Sequence, residues 1–190
     1  MFERGIELFK YPIAFEIWNL YLTKFMDRYG GSKIERSRDL FEHALTDCPP
    51  KYSISIYLLY AKFEQDFGLA RNAMQIYDRA SVKVDAESLE SLFSVYILQA
   101  AALFGLLSTR AIYQKAIETL PDIHALTFAL RFKDLEIQMG EIDRARSILA
   151  YASQFSNPRN DSVFWKAWHE FEVKYGNEDT YKEMLRCFFR

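Results

Sequence analysis

Cysteine is scarce in this sequence, and its arrangement excludes two kinds of framework. The only two cysteines in 190 residues are Cys48 and Cys187, far apart along the chain. Two isolated thiols supply neither a disulfide framework nor the ligand spacing of a zinc site. We therefore expect both thiols to be reduced, as in an intracellular protein.

Long apolar runs and an excess of charge of one sign are also lacking. The sequence contains no run of about 18 apolar residues, so we expect no membrane span. The residues from Met1 to Arg4 do not begin the apolar stretch of a signal peptide. With 24 basic and 26 acidic residues, the formal net charge is −2. This balance provides no bulk attraction to nucleic acid or to an anionic membrane.

Glycine and proline are few, seven and five respectively, but they recur at regular intervals. Glycine ends helices by adopting a left-handed conformation, and proline marks the junctions that a helix cannot cross. Near one period apart lie Gly30, Gly68, Gly105, Gly140 and Gly176, and also Pro12, Pro49, Pro50, Pro121 and Pro158, with Asp85 where one more proline is expected. The chain is therefore divided into similar units.

Apolar residues make up 50% of the chain and aromatic residues 16%, which is too apolar for a disordered segment. Many of these residues fall in columns that step by 36 residues, the mark of a repeat protein. The columns are Phe41, Tyr77, Tyr113, Leu149; Ala44, Ala80, Ala116, Ala152; Tyr57, Phe93, Ala129, Trp165; Tyr60, Tyr96, Phe132, Trp168; and Phe63, Gln99, Leu135, Phe171.

Each unit is predicted to consist of helix A, a glycine turn, helix B and a junction. Within one repeat, residues from neighbouring columns lie three or four positions apart, as on one face of a helix. A strand would require alternation with a period of two, and the sequence has no sustained run of it. The predicted fold is an all-α solenoid of antiparallel helix pairs with a period of about 36 residues. We expect one array over 1–190, with a partial repeat at 1–12 and repeats at about 13–50, 51–85, 86–121, 122–158 and 159–190.

Neither end of the sequence has the polar cap that a repeat array needs. The chain starts in a B-like helix at Phe2 and ends on Cys187-Phe188-Phe189-Arg190. We expect an excerpt of a longer solenoid whose apolar ends contact neighbouring repeats of the full-length chain.

Two helix motifs recur along the chain: Trp/Tyr-x-x-Tyr/Trp-x-x-Phe-Glu, and then Arg-Ala-Arg-x-Ile-Tyr-x-Arg-Ala followed by proline. The residues that carry them are Tyr57, Tyr60, Phe63-Glu64; Ile76-Tyr77-Asp78-Arg79-Ala80; Arg110-Ala111-Ile112-Tyr113-Gln114-Lys115-Ala116; Arg144-Ala145-Arg146; and Phe164-Trp165 through Phe171-Glu172. The repeat unit resembles the half-a-TPR (HAT) repeat, and the likeness covers nearly the whole chain.

Longer strings resemble the C-terminal HAT region of the Syf-type pre-mRNA splicing factors. They include Ile17-Trp18, Cys48-Pro49-Pro50-Lys51-Tyr52, Met139-Gly140-Glu141-Ile142-Asp143 and Tyr175-Gly176-Asn177-Glu178-Asp179. The resemblance implies a nuclear protein scaffold of the Prp nineteen-associated complex and the spliceosome. In animals it also implies a link to transcription-coupled repair.

A set of residues is interpreted as the structural signature of the repeat. It comprises Trp18, Tyr21, Phe41, Ala44, Tyr60, Glu64, Tyr77, Ala80, Tyr96, Arg110, Tyr113, Ala116, Glu136, Arg146, Ala152, Trp165, Trp168 and Glu172. The pattern is interrupted where Met74 replaces the arginine, Ala100 the glutamate, Ala129 an aromatic residue and Leu149 the tyrosine.

The histidines and recurring glutamates could act in catalysis or metal binding, but their spacing favours structural roles. The histidines His43, His124 and His169 lack the spacing of metal ligands. The recurring glutamates are expected to pair within a repeat with arginines such as Arg144 or Arg146, or with backbone groups, because a buried charge requires a partner. Neither a catalytic pair nor a cofactor site is predicted, and we expect no enzyme activity.

Two features that could bind phosphate or nucleic-acid bases favour structural roles instead. The segment Gly30-Gly31-Ser32-Lys33 lacks the phosphate-loop spacing and is interpreted as a helix boundary with Ser32 as N-cap. The aromatic residues could stack on bases, but their periodicity favours a core.

The outer side of the B helices is the expected partner surface, because solenoids bind along extended faces. Its candidate residues are Glu35, Asp39, Glu42, Asp78, Lys115 and Ser147. The preferred function is a scaffold for spliceosomal proteins. Direct RNA binding stays open as an alternative, since a clustered set of basic residues could contact phosphates.

Overall fold

The computed structural model describes residues 2–189, which form eleven α-helices and three short 3-10 helices. No strand occurs among these residues, so the predicted all-α fold class is confirmed. Within the same residues, every helix is too short or too polar to cross a bilayer.

The described residues fall into two compact units, one ending at Gln99 and the other beginning at Ala100. The boundary lies inside α6. The first unit contains α1 (Phe2–Leu8), α2 (Ile13–Tyr29), α3 (Ile34–Thr46), α4 (Pro50–Phe67), α5 (Ala70–Lys83) and most of α6 (Ala86–Phe104). The second contains the end of α6, then α7 (Thr109–Thr119), α8 (Asp122–Gln138), α9 (Ile142–Ala152), α10 (Ser162–Tyr175) and α11 (Glu178–Phe188). Longer A and shorter B helices alternate from α2 onward, whereas the exact repeat boundaries stay a prediction.

Helix α4 shows how the sequence builds an A helix. Pro50 occupies the first turn, where its missing N–H costs no intrahelical hydrogen bond. Tyr57, Tyr60 and Phe63 follow at spacings of three, so they share one face, and all three are buried. The helix ends where the Gly68 amide donates to the Glu64 carbonyl oxygen at 3.0 Å.

The B helices pack against the following A helices through stacked rings and small residues. Phe41 of α3 stacks on Tyr60 of α4, with ring centroids 4.6 Å apart and planes 4° apart. The same contact recurs in the second unit between Tyr113 and Phe132, at 5.2 Å and 2°. Close approach is possible because the alanine column is almost fully buried, with Ala116 at 0% exposure.

The left-handed conformation expected of the recurring glycines occurs at three of the five positions. Gly30, Gly105 and Gly140 have positive φ angles of 47°, 84° and 81°, as expected of left-handed caps. Gly68 and Gly176 also end their helices, but their φ angles are −108° and −91°, so the expected left-handed conformation is wrong for them. Each is needed for close packing instead, because an added Cβ would collide with Oε2 of Glu64 or of Glu172.

Ser32 is not the N-cap that the sequence suggested. It lies inside the 3-10 helix Gly30–Lys33, and its hydroxyl donates to the Tyr29 carbonyl oxygen at 2.6 Å. Lys33 precedes α3 without a side-chain cap. The tight 3-10 turn directs the Ser32 hydroxyl backwards, away from the amides that a cap would bind.

Candidate protein-interaction surface

The six candidate surface residues lie on B helices, but most already have partners within the chain. Glu35 is 83% exposed and pairs with Arg38 at 2.6 Å. Asp39 is exposed on the same helix. Glu42 accepts two hydrogen bonds from Arg79 of α5, at 2.7 and 2.9 Å. The Arg79 hydrogen bonds hold the pKa of Glu42 below its usual value against the opposing effect of burial.

The remaining candidates lie further along the chain. Asp78 is exposed and Lys115 is half-buried, and both interact with other residues. The exposed Ser147 donates its hydroxyl to the Asp143 carbonyl oxygen at 2.9 Å. The structure therefore places the candidates on α3 and α5 of the first unit and on α7 and α9 of the second.

The signature residues are placed mainly inside the units. All are buried except Tyr21, Arg110 and Arg146, which are half-buried. The substituted position Ala129 is also fully buried, at 0% exposure. The columns therefore correspond to packing positions.

Buried glutamate–arginine pairs form the most regular polar feature of both units. Glu64 is 1% exposed and accepts from Nε of Arg38 at 2.6 Å and from Nη2 at 2.9 Å. Glu136 is 0% exposed and accepts from Nε and Nη2 of Arg110 at 2.8 and 2.7 Å. Planar two-point contacts of this kind are the strong form of a charge-assisted hydrogen bond.

The third pair is held more loosely but has an additional donor. Nε of Arg146 lies 3.1 and 3.3 Å from the two carboxylate oxygens of Glu172. The indole Nε1 of Trp168 donates to the same carboxylate at 3.2 Å. Trp168 is thus both a core aromatic residue and a hydrogen-bond donor.

These pairs correct the expected pairing within a repeat. In each pair the two residues are 26 positions apart. The arginine belongs to a B helix and the glutamate to the A helix of the following repeat. Arg144 is exposed and does not take part. Because the chain folds back between B and the next A helix, the pairs join consecutive repeats.

The same spacing accounts for two interruptions of the sequence pattern. A step of 26 residues leads from Met74 to Ala100. The arginine and the glutamate are therefore absent together, and neither replacement ionises. A lone buried carboxylate would be costly, which explains why the two positions differ from the pattern jointly.

Glu64 also links stability to pH. Burial alone would raise the pKa of Glu64, but hydrogen bonds from Arg38, the Leu69 amide and Asn72 hold it below its usual value. A lowered folded-state pKa stabilises the fold above the unfolded-state pKa, about 4.3, and this contribution is lost as the pH falls towards the folded value.

We expect wild type to lose more stability on acidification than the double variant Arg38→Met, Glu64→Ala. The reason is that only wild type must protonate a paired Glu64 below a pH of about 4.3. Urea unfolding followed by circular dichroism between pH 7 and pH 3 measures the difference. Parallel losses for the two proteins would contradict this assignment.

The histidines lie apart from one another and contact aromatic rings or other residues. His43 meets Trp18 edge to face at 5.2 Å, and His169 meets Tyr181 at 5.5 Å. His124 is half-buried on α8 and has an interaction of its own. Among the side chains that the structure describes, no group of three or more His, Cys, Asp or Glu is placed to hold a metal ion.

Two exposed features were missed in the sequence. The end of α6 and the 3-10 helix Leu106–Ser108 expose four large apolar side chains to between 42% and 65%: Leu103, Phe104, Leu106 and Leu107. A groove of about 380 Å³ lies between α7 and α9 and includes Arg144 and Tyr151. The sequence signal for the apolar segment was the absence of charged residues around Gly105, since the corresponding turns of other repeats carry residues such as Lys33 and Glu141.

Comparison with known proteins agrees with the repeat geometry. Residues 1–188 match the family model described as the pre-mRNA-splicing factor Syf1/CRNKL1 C-terminal HAT repeat. The human pre-mRNA-splicing factor SYF1 is 55% identical over 185 residues, which are 97% of this chain and 22% of that protein. The Schizosaccharomyces pombe pre-mRNA-splicing factor cwf3 is 51% identical over 187 residues, covering 98% of this chain and 24% of that protein.

The chain therefore spans less than a quarter of the length of these relatives. The match nevertheless runs through all the helix pairs described above, including each glutamate–arginine pair. This chain belongs to the Syf1/CRNKL1 C-terminal HAT repeat family of pre-mRNA-splicing factors.

Proposed function

We propose that this chain is a non-catalytic protein–protein interaction scaffold of the nuclear pre-mRNA splicing machinery, within the Prp nineteen-associated complex of the spliceosome. The observation that carries the proposal is the family match over residues 1–188. Its relatives are named as pre-mRNA-splicing factors. The proposed partners are spliceosomal proteins and neighbouring HAT repeats of the full-length protein.

The use of polar groups within the described residues supports a scaffold. The buried carboxylates of Glu64, Glu136 and Glu172 are occupied by arginines. Side chains committed to paired, buried contacts hold helices together and are not free to exchange protons with a substrate. This arrangement suits a rigid framework on which exposed residues contact partners.

The alternative, direct RNA binding, draws less support from the same contacts. Three arginines that could have contacted phosphates, Arg38, Arg110 and Arg146, each pair with a buried glutamate. Their charge is therefore compensated before any phosphate approaches. Binding of a nucleic-acid backbone depends on several uncompensated cations that release counterions.

Affinity capture from nuclear extract tests the proposal, with the chain as bait and with or without RNase. We expect spliceosomal proteins, identified by mass spectrometry, to be retained after RNase treatment because protein contacts hold them. An unrelated tetratricopeptide repeat protein of similar size serves as control bait. Recovery of repair proteins in the same experiment tests the additional proposal of a role in transcription-coupled repair.

The two functions predict opposite results. Loss of all spliceosomal proteins on RNase treatment would favour RNA binding and contradict the scaffold. Equal recovery on the control bait would also contradict it. In the RNA case, affinity of the chain for single-stranded RNA should fall steeply with salt.

A further inference from the structure

Adjacent B helices are bridged differently in the two units. In the first unit, Glu42 of α3 and Arg79 of α5 are 37 residues apart and joined by two hydrogen bonds. In the second unit, the positions two periods later are Gln114 of α7 and Tyr151 of α9. These two side chains carry no opposite charges, so an ion pair cannot form between these two positions.

A groove of about 380 Å³ opens where that ion pair is missing. Its apolar lining includes the buried side chains of Ile117 and Phe132, together with Ile148 and Tyr151. Tyr151 is 43% exposed. An apolar concavity that is partly open to solvent gains free energy when an apolar group of a partner fills it.

The rim of the groove contains a cation that has no partner among the side chains that the structure describes. Arg144 is exposed and lines the groove, and it forms no hydrogen bond or ion pair with the described residues. Glu118 also lines the groove and keeps its negative charge, since its hydrogen bond at 3.1 Å comes from the neutral Nε2 amide of Gln114. In the described part of the chain it forms no ion pair with Arg144. A partner that covers Arg144 must supply a negative group, because a buried charge without a partner is costly.

We propose that the groove between α7 and α9 is a docking site for a partner protein segment that inserts a bulky apolar side chain and places an acidic side chain beside Arg144. The proposal rests on the proposed scaffold function and assigns a site to it. A nucleic acid fits this groove poorly, because Arg144 lies in the same lining as the acidic Glu118 and cannot neutralise successive phosphates.

A library of random 16-residue peptides displayed on phage provides the probe. It is panned against the immobilised chain, and synthetic copies of enriched peptides are titrated by fluorescence polarisation. We expect peptides that contain an acidic residue near Leu, Phe or Trp. They should bind wild type at least tenfold more tightly than Arg144→Glu, which reverses the charge, and Ser147→Trp, which fills the groove.

Matched controls separate binding from folding. Lys166→Glu makes the same charge change at an exposed position of α10 outside the groove and should bind like wild type. Changing the acidic residue of the peptide to lysine should restore binding to Arg144→Glu, which a merely structural role of Arg144 would not do. Circular dichroism checks that all variants keep their helix content.

Failure of the panning to enrich peptides, or equal binding to all four proteins, would overturn the docking site. The outcome is distinguishable from failure of the scaffold function. If spliceosomal proteins are still retained after RNase while the groove binds no peptide, only the groove assignment is wrong. If peptides bind as expected but no spliceosomal protein is retained, the docking-site proposal is supported and the proposed splicing function is contradicted.

Discussion

The Arg38→Met variant is expected to have a free energy of unfolding about 3 kcal/mol lower than wild type, because it strands a buried carboxylate. Glu64 is 1% exposed. Without Arg38, it keeps only the Leu69 amide and the Asn72 side chain as donors, each at 3.3 Å. Arg38 is 26% exposed, which places the effect near the lower end of the range for breaking a buried pair. Urea unfolding at pH 7 measures it.

The double variant Arg38→Met, Glu64→Ala should regain about half or more of the lost stability, since it removes the stranded charge as well. The chain itself contains this combination at Met74 and Ala100. Glu35→Ala is the control, because it removes an 83% exposed partner of the same arginine. We expect it to cost less than about 1 kcal/mol. A double variant less stable than Arg38→Met would contradict the pairing argument.

The Phe41→Ala variant should lose about 4 kcal/mol of stability, because it leaves a cavity in a closely packed interior. Phe41 is fully buried and stacks on Tyr60. Burial also raises the pKa of Tyr60 to about 12, so the tyrosine stays neutral at physiological pH. Thermal and urea unfolding of the variant measure the loss.

Phe189→Ala is the matched control for this prediction. Phe189 is 79% exposed, so its removal should change the free energy of unfolding by less than about 0.5 kcal/mol. The comparison also tests the base-stacking interpretation of the aromatic columns. If Phe41 stacked on RNA bases, its replacement would lower RNA affinity while leaving stability nearly unchanged.

The repeat could be predicted from sequence because each contact recurs at a constant step. The Phe41–Tyr60 stack reappears as Tyr113–Phe132, shifted by two periods. Because the same packing contacts recur in each repeat, similar residue types recur with the same period. Helix type, helix order and the buried columns could therefore be predicted from the sequence.

Pairing between repeats was not accessible in the same way. The glutamate and arginine columns are both visible in the sequence, but either neighbour of Glu172 along the array could have supplied the arginine. Only the path of the chain between α9 and α10 brings Arg146, and not a residue of α11, onto the carboxylate. The joint loss at Met74 and Ala100 was the available signal, and it requires the 26-residue spacing to be recognised.

The sequence by itself determined the helical period, the residues that fill each unit and the family to which the chain belongs, because these depend on spacing and residue type alone. The tertiary structure decided which charges are buried in pairs, why Gly68 is needed beside Glu64, and where a groove opens. Those properties depend on distances between side chains of different helices. Gln114 and Tyr151, two periods after Glu42 and Arg79, change the surface between two B helices without changing the helical pattern.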